Sequence, residues 1–271
     1  MRQILRYFLP PPCLHWYRCL RYPDYRFKVQ ELARLKALPR YLKTITEVAG
    51  GPVEVVDAAS FLFMQGEIFE QQIYRFQADG QTPYIIDGGA NIGLSVIYFK
   101  ELYPQSRIVA FEPDDEVFLT LQKNVQERGY ENVELLRRAL WSSETELSFM
   151  REGADGGRLS QGDDLKSKTV RTARLRDYLD RKVDFLKLDV EGAETEIMID
   201  CEDLLGNVEN LFVEFHSFVD SPQTLHTVIN ILANAGFRLH IHPPVTSPQP
   251  FFYRHVNLGM DMQLNIFAFR A

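Results

Sequence analysis

The feature that most constrains this chain is an alternation that begins after Gly80, where short apolar runs are separated by amphipathic stretches. The runs are YIID (84–87), RIVAFEP (107–113), NVELLRRAL (132–140), DFLKLDVEG (184–192), NLFVEFH (210–216), FRLHIHP (237–243) and QLNIFAFR (263–270). Runs of this length suit buried strands, and amphipathic segments between them suit helices laid across a sheet. Seven strands of a mostly parallel α/β sheet are therefore expected. Val117, Phe118, Leu121 and Val125 form one helical stripe, with Asp114 and Asp115 placed to favour its N-terminus; Leu225, Val228, Ile229 and Leu232 form another, after Ser221 and Pro222. The last two runs are separated only by PVTSPQPFFYRHVNLGMDM, which has no helical period, so they are expected to pair antiparallel around a long loop.

The first run ends in Asp87-x-Gly89-x-Asn91-x-Gly93 and leads into an apolar helix from about Leu94 to Leu102. That order lets bare backbone approach a ligand at the C-terminal edge of the sheet, where such folds bind. A dinucleotide fingerprint would want glycine where Ala90 stands. The acid-x-Gly-x-(Gly or Asn)-x-Gly pattern is instead that of S-adenosylmethionine enzymes, whose ligand carries an ammonium group and no pyrophosphate, so a nearby carboxylate attracts it. Glu112, at the end of the second run, is placed to accept hydrogen bonds from both ribose hydroxyls; NAD enzymes use the same device, so Glu112 names a ribose and not the rest of the cofactor. An NAD-dependent oxidoreductase therefore stays as a rival, disfavoured by Ala90 and by the reversed last strand.

With IIDGGANIG, VAFEPDDEVFLTLQKN, RRALWSSETELSF and VDFLKLDVEGAETEIM in view, residues 84–216 resemble the FkbM-type family of S-adenosylmethionine-dependent methyltransferases. The resemblance implies the class I methyltransferase fold, a Rossmann-like seven-stranded sheet that is mostly parallel with an antiparallel last strand, here with a helical N-terminal extension. It implies O-methylation of a hydroxyl on a small molecule, sugar or glycan. It also places Asp87, Gly89 and Asn91 at the methionine end of the cofactor, Glu112 at the ribose and residues 138–140 at the adenine edge. The expected cofactor contacts are Asp87, Gly88, Gly89, Asn91, Gly93, Glu112, Pro113, Ala139, Leu140 and Asp189.

The fourth run carries Asp189, Glu191 and Glu194 at its end, and the fifth Glu214 and His216. Strand alternation puts Asp189 and Glu191 on one side, and Glu214 and His216 likewise, facing the crevice of the glycine turn. Methyl transfer to an alcohol needs a positioned acceptor and a group to take its proton. His216 is the first choice for that base and Glu191 the second, with Asp189 beside them; capping of the next helix is the plainer role for Asp189, Glu191 and above all Glu194. No metal ligand is assigned, although carboxylates at the ends of strands four and five could hold Mg²⁺.

Residues 1–80 look mainly helical, with Leu32, Leu35, Leu38 and Leu42 at helical spacing, and are expected to form an extension or cap on a cofactor domain over 81–271. GADGGRLSQGDDLKSK (153–168) looks like a surface loop. The net charge of -7 argues against a general nucleic-acid binder, as does the absence of an N-P-P-aromatic element after the fourth run. Residues 1–43 nevertheless hold ten Lys or Arg and two acids. Arg2, Arg6, Arg18, Arg21 and Arg26 mix with Phe8, Trp16, Tyr17, Tyr22 and Tyr25, a composition suited to an anionic membrane surface, to an acidic substrate, or to a cap packed on an acidic body. A non-catalytic nucleotide-binding protein docked at a membrane is a second rival. Three scattered cysteines and no apolar stretch of membrane-spanning length lead us to expect a cytoplasmic protein, with peripheral membrane contact and homo-oligomerisation left open.

Overall fold

The computed structural model describes residues 17–150, 158–160 and 167–270. All seven expected strands join one sheet: β3 (Tyr84–Gly88), β4 (Arg107–Phe111), β5 (Val133–Leu136), β10 (Val183–Leu188), β11 (Val208–Phe218), β12 (Arg238–His242) and β13 (Met260–Phe269). Their order is β12-β13-β11-β10-β3-β4-β5, and β13 runs antiparallel to both of its neighbours while the remaining pairs are parallel. This is the class I methyltransferase sheet. Alternate residues feed two cores, one on each face. Ile86, Val109, Leu186 and Val213 join the first; Ile85, Ile108, Phe185 and Phe212 join the second. A period of two across a sheet covered on both sides is why these strands are apolar throughout.

Helices α3 (Leu94–Leu102), α4 (Asp115–Glu127), α5 (Glu194–Cys201) and α6 (Leu225–Asn234) follow β3, β4, β10 and β11. Asp114 caps α4, its Oδ1 accepting from the backbone of Glu116 and Val117. Val117, Leu121 and Val125 turn into the second core and Phe118 packs against it, as the stripe predicts.

The N-terminal region shares that core, through Leu35, Val53, Val55 and Phe61. Helix α1 (Pro23–Lys36) begins on a proline, where the missing N–H has no partner to lose, and stops short of Pro39, so the helical period does not reach Leu42, which is exposed. A hairpin follows, β1 (Thr44–Thr46) against β2 (Val53–Val55), then α2 (Ala58–Gln65) running into a π-helical turn at Gly66–Gln71.

Three expectations are corrected. The run 132–140 is two strands: β5 ends at Leu136, and β6 (Ala139–Trp141) leaves for a second sheet after a turn closed by the Arg138 N–H on the Leu136 carbonyl. That sheet, β6-β9-β7-β8, also holds β7 (Glu146–Met150), β8 (Arg158–Ser160) and β9 (Ser167–Arg174), so the parts of the 153–168 stretch that are described are strand and not loop; the rest lies outside the described residues. Finally, β10 ends at Leu188. Asp189 and Glu191 stand in a loop in which Glu191 (φ 53°) and Gly192 (φ 101°) are left-handed, so strand alternation does not relate them. Among the described residues, no helix is long and apolar enough to cross a membrane.

Candidate functional site

The C-terminal ends of β3, β4, β10 and β11 meet at one edge of the sheet. At Gly89 (φ 84°) a β-carbon would fall 1.8 Å from the carbonyl oxygen of Asp189, so only glycine lets the β3 and β10 loops lie this close. The Gly89 and Ala90 amides donate to the Phe111 carbonyl at 3.1 and 2.8 Å, stitching the turn to β4. Glu112 closes it from below: Oε2 accepts from the Asn91 amide at 3.0 Å and Oε1 from the Asp114 amide at 2.9 Å. Burial raises the Glu112 carboxyl to about 7, against the pull of those two N–H groups.

A buried lysine sits behind the turn. Lys187 Nζ is 3.4 Å from Asp87 Oδ1 and 3.2 Å from Asp189 Oδ2, and donates to the Gly89 carbonyl at 2.7 Å. Ser95 Oγ donates to Asp87 Oδ2 at 2.5 Å. Burial disfavours the ammonium, but the carboxylates of Asp189, Asp87 and Glu214 outweigh it and hold the pKa above the usual lysine range. Lys187 is the residue that the sequence reasoning missed. Its signal is a single basic residue inside the run DFLKLDVEG.

The third group lies between β11 and α5. His216 Nδ1 is 3.0 Å from Glu194 Oε1, and because a carboxylate there accepts, Nδ1 carries the proton. Glu194 Oε1 also accepts from the amides of Gly192 (3.0 Å) and Val190 (3.3 Å), which fixes the loop holding Glu191. His216 Nε2 faces Glu191 Oε2 at 3.7 Å and Glu214 Oε1 at 3.9 Å, with no hydrogen-bond partner among the described residues. Gln263 Nε2 donates to Glu214 Oε1. Burial and the Asp189 charge push the Glu214 carboxyl well up. The His216 ring, disfavoured as a cation by burial, is nevertheless raised by Glu191, Glu194 and Glu214.

These groups surround a cavity of about 520 Å³. Of the residues expected to bind cofactor, Gly89, Asn91, Glu112, Pro113, Ala139, Leu140 and Asp189 line it, and Glu191 does too. Asp87, Gly88, Gly93 and His216 stand behind the wall: Asp87 and the His216 side chain are fully buried. Glu67, from the π-helical turn, and Tyr74 also line the cavity, and nothing local in the sequence marks either one. Burial and the charge of Asp189 raise the Glu67 carboxyl to about 7.

A family model described as the methyltransferase FkbM domain matches residues 87–239, from the acid of the glycine turn to the sixth strand of the sheet. The chain belongs to the FkbM methyltransferase family. That makes it a methyltransferase and sets aside the NAD-dependent oxidoreductase. Among FkbM relatives and other methyltransferases, "Methyltransferase 1" of Beauveria bassiana is 26% identical over 69% of this chain and 84% of its own length. "Methyltransferase sdnD" of Sordaria araneosa is 30% identical over 50% of this chain and 67% of its own. The solved structure of an FkbM methyltransferase from Methylobacillus flagellatus aligns at 17% identity with a TM-score of 0.47, over 73% of this chain and 46% of that one.

Proposed function

We propose that this FkbM methyltransferase moves a methyl group from S-adenosylmethionine to a hydroxyl of a small molecule or glycan, with residues 1–80 serving as a cap on the cofactor domain over 81–271. The observation that carries the reading is the convergence of the glycine turn, Glu112 and the carboxylates of Asp189 and Glu191 on one cavity. The residues present fit the cofactor. The close approach at Gly89 leaves backbone bare beside the cavity, and each Glu112 oxygen, having accepted one amide, keeps a lone pair for a ribose hydroxyl. Ala139 and Leu140 offer an apolar edge for adenine.

When bound, S-adenosylmethionine supplies an electrophilic methyl group on a positively charged sulfur. Asp189 provides negative charge at the cavity wall to match it. Asp87 acts indirectly, by holding Ser95 and Lys187 in place under the turn. Glu191 lines the cavity and takes the proton of the acceptor hydroxyl. His216, first choice as base on sequence grounds, stands one layer behind and acts through Glu191 and Glu214 rather than on the acceptor. The cap contributes Arg40, Phe63, Met64 and Glu67 to the cavity, which supports a part in acceptor selection.

The test is methyl transfer to a panel of hydroxylated acceptors, with products mapped by mass spectrometry. Ether products are expected, and Glu191→Gln should lower kcat by roughly 100-fold while leaving S-adenosylmethionine affinity within about threefold. Methyl groups found only on nitrogen or carbon, or a Glu191→Gln enzyme as fast as wild type, would overturn the reading.

A further inference from the structure

We propose that Asp189, Glu214 and His216 bind a divalent first-row transition cation in the floor of the cavity. One ligand atom from each of the three lies within 4.8 Å of the others. Bonds of about 2.0–2.2 Å place the donors around such an ion roughly 3–4.5 Å apart, so a small contraction completes the site.

The decisive atom is His216 Nε2. It is buried, it points at Glu191 and Glu214, and it has no hydrogen-bond partner among the described residues. Two explanations compete. If the ring were an imidazolium answering these carboxylates directly, charge-assisted N–H···O contacts would close to about 2.7–2.9 Å. The observed gaps are 3.7 and 3.9 Å, both too long for that bond, and the 3.9 Å to Glu214 suits two donors that share a cation. The opposite ring nitrogen gives the same answer. Nδ1 donates to Glu194, itself anchored by the Val190 and Gly192 amides, and a carboxylate behind a histidine is the arrangement that fixes a metal ligand's tautomer and raises its basicity.

Charge agrees. Lys187 is shared between Asp87 and Asp189, which leaves Glu214 and half of Asp189 facing the cavity with Glu67 and Glu191 close by. Ligands bind a metal in their deprotonated forms, so with the ion in place a neutral imidazole and two carboxylates carry two negative charges, which a divalent ion cancels. Lys187 competes for one oxygen of Asp189 at 3.2 Å, but a carboxylate can bridge an ammonium and a metal. The donor set also selects the ion. Mg²⁺, the expectation from carboxylates alone, prefers oxygen throughout, whereas one imidazole nitrogen with two carboxylates suits Mn²⁺, Fe²⁺ or Zn²⁺. Because Asp189 and Glu214 line the cavity, open coordination positions would face the acceptor and acidify its hydroxyl beside Glu191. That last use rests on the methyl-transfer reading; cation binding does not.

The full chain, stripped with chelator, is titrated with Mn²⁺ alone and free Mn²⁺ is followed by electron paramagnetic resonance, with Zn²⁺ as competitor. S-adenosylmethionine affinity is measured on the same preparations. One Mn²⁺ site is expected, displaced by Zn²⁺. Glu214→Gln and His216→Gln should each weaken it at least ~10-fold and retain cofactor binding, which also shows that they fold. Glu112→Gln should do the reverse. Wild type that takes up neither Mn²⁺ nor Zn²⁺ at millimolar concentrations, or uptake that Glu214→Gln and His216→Gln leave unchanged, overturns the site. Mn²⁺ binding lost in both variants, in a protein that ignores S-adenosylmethionine, would uphold the site and sink the cofactor reading instead.

Discussion

Lys187 and Asp87 are register partners on adjacent parallel strands, and the ammonium of one reaches within 3.4 Å of the carboxylate of the other with both side chains buried. The pairing of β10 with β3 puts this cation beneath the glycine turn, where it also binds the Gly89 carbonyl and Asp189. The site is therefore built around an internal charge balance, and its strongest tests disturb that balance or the backbone over it.

Replacing Lys187 with methionine keeps most of the volume and strands Asp87 and Asp189 without a cation. Removing one member of a buried pair typically destabilises by about 3–5 kcal/mol. Urea denaturation should show a loss of that order, and adding Asp87→Asn to Lys187→Met should recover part of it. A Lys187→Met protein as stable as wild type would mean that water or a counter-ion already screens the pair.

Gly89→Ala forces a β-carbon into the Asp189 carbonyl at 1.8 Å in a left-handed conformation. Backbone strain alone accounts for about 1–3 kcal/mol, and the clash adds to it. A thermal melt should shift down markedly and cofactor binding should vanish, because relief of the clash requires the β3 and β10 loops to separate.

Glu112 gives a pH signature. Its folded carboxyl titrates at about 7 against an ordinary value of 4.5, so between those values the native state holds a proton that the unfolded chain has released. The sign follows: this group's contribution favours folding most below pH 4.5 and is lost as pH rises through 7. Glu112→Gln removes the titration, so the variant should gain on wild type as pH rises from 4.5 to 8, by up to ~3 kcal/mol. The wild-type-minus-variant difference in unfolding free energy isolates Glu112 from Glu67 and Glu214, which titrate in both. A flat difference across that range would show that the carboxyl is ionised throughout.

Phe251 and Phe252, in the loop between β12 and β13, are 98% and 95% exposed. Changing both to serine should leave the unfolding free energy within about 0.5 kcal/mol of wild type. A larger loss, together with a drop in mass by light scattering, would place these rings in a contact between copies.

Much of the frame was legible because it depends on short-range pattern. A run such as YIID or NLFVEFH carries its own evidence of burial, and the Val117–Leu121–Val125 stripe names its buried face without reference to anything else. The glycine turn was legible for the same reason: a left-handed bend between a strand and a helix demands Gly89 and Gly93 locally. Where the pattern was ambiguous the reading slipped. RRAL looked continuous with VELL, and only the choice of β9 as the partner of β6 separates them. DVEG looked like strand, and only the Glu194 carboxylate shows how the backbone is held once β10 has ended.

The sequence by itself, then, determined the strand-and-helix alternation, the reversed final strand and the glycine bend that follows the first strand of the sheet, since each is specified by neighbours in the chain. Only the tertiary structure decided that Lys187 faces Asp87, that Glu67 reaches the cavity from the N-terminal region, and that His216 lies behind Glu191 and Glu214 rather than in front of them. Those facts depend on which strands become neighbours and how deep each side chain sits, and ion pairing between residues a hundred positions apart has no signature in the order of residues between them.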